Sequence, residues 1–245
     1  MNKFVMFCRK GVAKLLATLY PVRFYGDREG VTVKKSIIVA NHVDGWDGVI
    51  FVAHNNKDIR FMYKAEHRQR KFLKWALDGM DFIPVSRGDA DMAATKATLR
   101  ALKDEKPVWI FPEGTRNRSF EQFLPLKTGV ALFAIKTQAP IRPIITFDTY
   151  KILRKNHVMI GEEFELSQFY GKPITKEVLD EATKIVYKKL MQLKLKLEAK
   201  MAEMGVSRRK PSKKRQEKID KFILSHQAQY QLSEALYKDV KIDVE

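Results

Sequence analysis

With a single cysteine, Cys8, the chain cannot form an intramolecular disulfide, which argues against a disulfide-framed secreted domain. Long hydrophobic runs are also missing: no stretch reaches about 18 uncharged apolar residues, so no transmembrane helix is expected. Arg9, Lys10 and Lys14 interrupt what would otherwise be a signal-peptide core, and no small-residue cleavage site follows. The N-terminus is therefore expected to be retained. The scarcest commodity is negative charge. There are 29 Asp and Glu against 46 Lys and Arg, a net charge of +17. Such a surface seeks polyanions, whether nucleic acid, anionic lipid or phosphorylated substrates, and charge alone does not choose among them. What remains is ordinary globular material. The chain has 245 residues, 45% of them hydrophobic, enough for one large domain with a sizeable core.

Residues 3–20 read as a basic amphipathic helix ended by Pro21. Phe4, Phe7, Cys8, Leu15 and Leu19 recur at helical spacing, and Lys3, Lys10 and Lys14 share another face. The helix either packs on the domain or lies in a membrane interface with its lysines toward phosphates; the pattern favours the interface. From residue 31, apolar runs alternate with helical patterns. Strands are expected at 31–40, 59–64, 80–85, 107–111 and 141–149. Helices are expected at 47–55, 66–77, 89–103 and 127–137. The alternation predicts an α/β fold, with a largely parallel central sheet flanked by helices. An N-terminal amphipathic helix and a helical C-terminal extension complete it. Residues 151–166 read as one or two edge strands. Residues 175–204 and 216–238 read as helices, joined across a solvated basic linker at 208–215. The expected divisions are 1–22 for the interface helix, 23–170 for the α/β core and 171–245 for the basic helical region.

Three strand-to-helix junctions carry chemistry, and such junctions are where α/β sheets gather functional groups. In Asn41-His42-Val43-Asp44-Gly45-Trp46-Asp47, His42 can take a proton from a hydroxyl, and Asp47 can hold its other ring nitrogen. The alternative is a helix N-cap beside a structural histidine. In Phe82–Asp89, Arg87 reaches a helix start, where it can bind phosphate or pair with Asp89 or Asp91. In Val108–Arg118, Gly114 permits a tight turn and Arg116 offers a bidentate fork for phosphate. Glu113 there can orient a substrate hydroxyl or hold Arg116. Lys64 and Lys127 can add positive charge. The five histidines are scattered and no Cys/His spacing fits zinc, so no metal site is expected. Ser36, Ser86 and Ser119 lack a nucleophile-elbow context. The basic charge is spread along the chain without a nucleic-acid motif, so nucleic acid is not an expected partner.

In order, these segments resemble the blocks of the lysophosphatidate/glycerophosphate acyltransferase superfamily. Asn41-His42 with Asp47 is similar to its NHxxxxD block. Phe82–Arg87 is similar to its arginine block, and Phe111-Pro112-Glu113-Gly114-Thr115-Arg116 to its FPEGTR block. Ala139–Ile145 is similar to its proline-bracketed apolar block. The likeness covers residues 31–150. It implies that His42 acts as general base on the free sn-2 hydroxyl of lysophosphatidate and that Asp47 orients it. It also implies that Arg87, Glu113, Gly114, Thr115 and Arg116, with Lys64 and Lys127, form the acceptor site. The hydroxyl would attack an acyl thioester directly, giving phosphatidic acid. Acyl-CoA or acyl carrier protein would be the donor, with no other cofactor. Glycerol 3-phosphate or another lysolipid remains an alternative acceptor. The resemblance further implies a peripheral enzyme on anionic lipid at the cytoplasmic face of the cell membrane. Two positions depart from the pattern: Asn117 intervenes before Arg118-Ser119, and Arg142 places a charge in the apolar block.

Overall fold

The computed structural model describes residues 3–26, 35–55, 59–66, 82–86 and 91–242, with side chains from residue 11 onward. At its centre is β2 (Ile37–Ala40), four residues buried without exception. A strand covered on both faces reads as a continuous apolar run, and here that run is Ile-Ile-Val-Ala. Around it lie β1 (Val22–Tyr25), β3 (Arg60–Lys64), β4 (Ile83–Val85), β5 (Val108–Ile110), β6 (Ile141–Thr146) and β7 (Asn156–Ile160). They form one seven-stranded sheet in the order β1-β7-β6-β2-β5-β3-β4. Among the described residues, every pairing of these strands is parallel except β6 with β7.

Among the described residues the helices are α1 (Lys3–Leu19), α2 (Asp47–Asn55), α3 (Met92–Lys103), α4 (Gly129–Thr137), α5 (Lys176–Glu203), α6 (Lys213–Ser225) and α7 (Gln227–Tyr237). On one face of the sheet, α4 and α5 bury Val130, Phe133, Leu190 and Leu197 against Ile37, Ile141 and Val108. On the other, α2 buries Ile50 and Phe51 against Ile38, Trp109 and Ile144. Helix α1 packs across α2. The expected α/β fold, mostly parallel sheet and helical C-terminal extension are all present.

Three expectations need correction. The segment after residue 150 supplies β7, which is interior; the edge is β1, which was not anticipated. The basic stretch at 208–215 is not wholly a solvated linker. Arg208 donates to the Phe147 carbonyl (3.0 Å) and to Glu198 (2.5 Å), and lies over the rings of Phe120 and Phe147. Arg215 donates to Thr149 Oγ1 (2.7 Å), and α6 begins within the stretch. The charge at Arg142 is buried but paired: it bonds Glu163 (Nη2 to Oε1 3.2 Å) and the Gly161 carbonyl (3.1 Å). Residues 31–34 of the first expected strand, 67–77 of the expected second helix, 80–81 ahead of β4, and 89–90 lie outside the described residues.

Because β2, β3, β4, β5 and β6 run the same way, their carboxyl ends share one edge of the sheet. Antiparallel β7 starts at that edge, and so does β1, where α1 ends. The loops carrying His42 and Glu113–Arg116 therefore open side by side.

Candidate active site

His42 stands two residues beyond β2. Ahead of it, buried Asn41 clamps β2 to β6: its Nδ2 donates to the Thr146 carbonyl (2.9 Å), and the Thr146 N–H donates to its Oδ1 (2.8 Å). The chain then turns through Gly45 and enters α2 at Asp47. Asp47 does not cap its own helix. Its Oδ2 accepts from His42 Nδ1 (3.0 Å) and from the N–H groups of Val43 (2.9 Å) and Asp44 (2.9 Å). A carboxylate accepts only, so in the neutral imidazole the proton sits on Nδ1 and Nε2 keeps its lone pair. The His42 ring lies flat on Phe111, 3.9 Å between centroids. Its side chain is 20% exposed and that of Asp47 only 1%, so the base meets solvent while its partner does not. Burial raises the Asp47 carboxyl above the usual range, and the bond to His42 opposes that rise. Gly48, one residue on, lets α2 approach β3: a Cβ there would stand 2.2 Å from Phe61 Cε1.

The second loop leaves β5 as Phe111-Pro112-Glu113-Gly114. The Gly114 N–H donates to the Phe111 carbonyl (3.0 Å), and Gly114 has φ +68°, the left-handed region that favours glycine. Arg116 is exposed and reaches across to the first loop; its Nη1 lies 3.5 Å from where a Cβ on Gly45 would be. Lys127, also exposed, runs its alkyl chain along Gly114. Thr115 is half-buried in the turn. Lys64, half-buried, ends β3 at the same edge. The structure thus brings His42, Asp47 and Arg116 together, with Gly114, Thr115 and Lys127 beside them. Arg87 lies outside the described residues.

Glu113 is placed differently from either expectation. It neither faces open space nor holds Arg116. Its buried Oε2 accepts from the Leu124 N–H (2.9 Å) and from Asn117 Nδ2 (2.7 Å). Burial, opposed by those bonds, lifts its pKa from 4.5 to about 7.

Three residues of the site were missed. Asn117, noticed only as a departure, ties the two loops together: its N–H donates to the His42 carbonyl (2.7 Å), and its Nδ2 also donates to the Gln122 carbonyl (2.8 Å). Its Oδ1 accepts from the Ser119 N–H (3.0 Å) and from the Tyr230 hydroxyl (2.6 Å). Tyr230 belongs to α7, whose buried side chains are Tyr230, Ser233 and Tyr237, one helical stripe. Ser233 Oγ donates to the Phe123 carbonyl (2.9 Å), and the Leu126 N–H donates to the Tyr237 hydroxyl (3.1 Å). All three grip the 113–126 loop. Asn41 is the third; it stands in the NHxxxxD-like block and directly after an apolar strand, but neither gives it a role of its own.

Comparison with known proteins gives the family and the fold. The acyltransferase family model matches residues 21–146, just over half of the 245-residue chain. A 1-acyl-sn-glycerol-3-phosphate acyltransferase of Helicobacter pylori is 33% identical over 118 residues, 47% of this chain and 50% of that one. Its namesake in Bacillus subtilis is 26% identical over 199 residues, 78% of this chain and 98% of that one. The chain therefore spans half the length of the first and nearly all of the second. The crystal structure of a 1-acyl-sn-glycerophosphate acyltransferase from Thermotoga maritima shares the fold, with TM-score 0.56 and 22% identity over 78% of this chain and 79% of that one. With both loops at one sheet edge and the family model spanning them, the chain belongs to the acyltransferase family.

Proposed function

We propose that the protein transfers a fatty acyl group from an acyl thioester to the sn-2 hydroxyl of 1-acyl-glycerol-3-phosphate, making phosphatidic acid for phospholipid synthesis. The observation that carries this is the His42–Asp47 pair, with the imidazole's Nε2 unengaged by Asp47 and the Arg116 guanidinium reaching Gly45 of the same loop. Nε2 takes the hydroxyl proton as the oxygen attacks the thioester carbonyl. The C–O bond forms, the C–S bond breaks, and His42 returns the proton to the departing thiolate. Asp47 orients the ring and stabilises the imidazolium while it lasts. Arg116 holds the acceptor phosphate, with Lys127, Thr115 and the Gly114 turn at its side and Lys64 and Arg87 adding charge. Glu113 acts from behind, by ordering the loop. Two relatives named for this reaction support the acceptor assignment. The donor is acyl-CoA or acyl carrier protein; no metal or other cofactor takes part. In this reading the enzyme works peripherally on anionic lipid at the cytoplasmic face of the membrane; the basic surface and α1 support it.

The test is a panel of both thioester donors against lysophosphatidate, glycerol 3-phosphate and uncharged lysolipids. Transfer to lysophosphatidate is expected to dominate, and His42→Ala is expected to abolish it while the circular-dichroism spectrum stays unchanged. Preference for an uncharged acceptor, or substantial turnover by His42→Ala, would overturn the assignment.

A further inference from the structure

The loop between β6 and β7, residues 147–155, begins under the active site and ends in an unusual tip. Tyr150 is buried, its hydroxyl 3.4 Å from Thr146 Oγ1. Immediately afterwards Ile152 is 55% exposed and Leu153 73% exposed, the most exposed large apolar side chains of this loop. Leu153 also has φ +55°, a left-handed conformation unfavourable for a branched side chain. The conformation is nonetheless firmly held. Asn156 Nδ2 donates to the carbonyls of Lys151, Arg154 and Pro21, and its Oδ1 accepts from the Lys151 N–H (2.8 Å). The Leu153 N–H donates to the Leu19 carbonyl at the end of α1 (2.6 Å). A backbone strained to hold two apolar side chains in water has no return within the free protein.

The surroundings say what covers the tip. Lys151, Arg154 and Lys155 flank it, and no acidic residue occurs between Thr149 and Gly161. The tip is bonded to the end of α1, and four more exposed apolar side chains lie on the adjoining elements: Val12 and Leu15 on α1, Trp46 and Val49 at the start of α2. Tyr20 stacks on Trp46 (6.3 Å), joining α1 to the His42 loop. Apolar tips ringed by cations suit a bilayer interface with anionic headgroups.

We propose that the Ile152–Leu153 tip is a second membrane-docking element, which enters an anionic bilayer beside α1 and sets the active-site edge against the lipid surface. The proposal rests on the reading of the protein as an enzyme of membrane lipids; it adds an element outside the N-terminal helix. The double variant Ile152→Ser/Leu153→Asn tests it, since asparagine accepts the left-handed backbone and should leave the fold intact. Wild type and variant are compared by flotation with vesicles of phosphatidylcholine and phosphatidylglycerol, and by transfer to a monodisperse short-chain lysophosphatidate. Partitioning is expected to fall about tenfold or more, with transfer to the monodisperse acceptor unchanged. An Ile152→Trp variant is expected to be quenched by brominated acyl chains. Unchanged partitioning, absence of quenching, or a tip that instead drives dimerisation without lipid would overturn the proposal. Failure of the wild type to acylate any lysophosphatidate would overturn the proposed reaction while the vesicle result still stood.

Discussion

Replacing Glu113 by glutamine removes one buried charge while keeping the two short bonds around it. The two short hydrogen bonds that Glu113 accepts go to Oε2, from Leu124 N–H and Asn117 Nδ2; the His42 N–H also acts on the carboxyl, whose buried Oε1 makes no bond of good geometry among the described residues. A glutamine carbonyl can take over Oε2's bonds, with its amide in the place of Oε1. The wild-type carboxyl has its pKa lifted from 4.5 to about 7 by burial. Folding therefore tightens its hold on a proton. The stabilisation this brings is complete below the unfolded pKa and is lost as pH rises through the folded one. A shift of that size is worth about 3 kcal/mol. Glutamine is neutral throughout, so this loss is absent from the variant. The assay is urea unfolding of both proteins at intervals from about pH 4.5 to about pH 8. The difference in unfolding free energy should move by about 3 kcal/mol in the variant's favour over that window, at up to about 1.4 kcal/mol per pH unit. Groups that titrate alike in both proteins cancel. Parallel curves would refute the reasoning, for they would mean that Glu113 is solvated or is already neutralised by a partner.

Asp47→Asn removes the charge that steadies the imidazolium but not the side chain's shape, so kcat should drop about 10²- to 10⁴-fold with KM for the acceptor little changed; steady-state kinetics decide, and a wild-type kcat would remove Asp47 from the mechanism. Gly48→Ala forces a Cβ to within 2.2 Å of the Phe61 ring and should cost about 1–3 kcal/mol in denaturant unfolding. Tyr230→Phe deletes the 2.6 Å bond to Asn117 and should cost about 1–2 kcal/mol. The same variant should also lower kcat, because Asn117 bonds the His42 carbonyl; a stability loss with full activity would limit Tyr230 to holding α7.

The sheet and the site loops were legible because they obey local rules. Buried parallel strands are short apolar runs, and the residues that follow them open at one edge, so His42 and Glu113–Arg116 could be placed before any contact was known. What stayed hidden depends on distant partners. Strand β1 is four residues, partly exposed and interrupted by Arg23, and becomes a strand only by pairing with β7 more than a hundred residues later. The reversal of β7 depends on Asn156 closing a loop, which its surroundings in sequence do not advertise. Arg208 reads as solvated charge until the rings of Phe120 and Phe147 come to it. Helix α7 shows three buried residues among exposed ones, a stripe too narrow to mark it as the clamp on a loop 110 residues away.

The site separates its charges by depth, and that separation bears on the proposed reaction. Asp47 and Glu113 are buried, whereas Arg116 and Lys127 are exposed. Coulomb interactions weaken steeply with the local dielectric, so Asp47 acts on the imidazole through low-dielectric protein while Arg116 acts through screening water. When His42 gains a proton, the buried anion helps and the exposed cations oppose only weakly. A phosphorylated acceptor changes the second half of that balance. In the proposed reaction its phosphate, seated on Arg116, would cancel the opposing charge and exclude water from between the partners, so the imidazolium would be better stabilised with that acceptor bound than in the free enzyme. Selectivity for a phosphorylated acceptor would then appear in kcat as well as in KM. An uncharged lysolipid forced to saturation should still turn over more slowly than lysophosphatidate, because it would leave Arg116 unneutralised at the His42 loop.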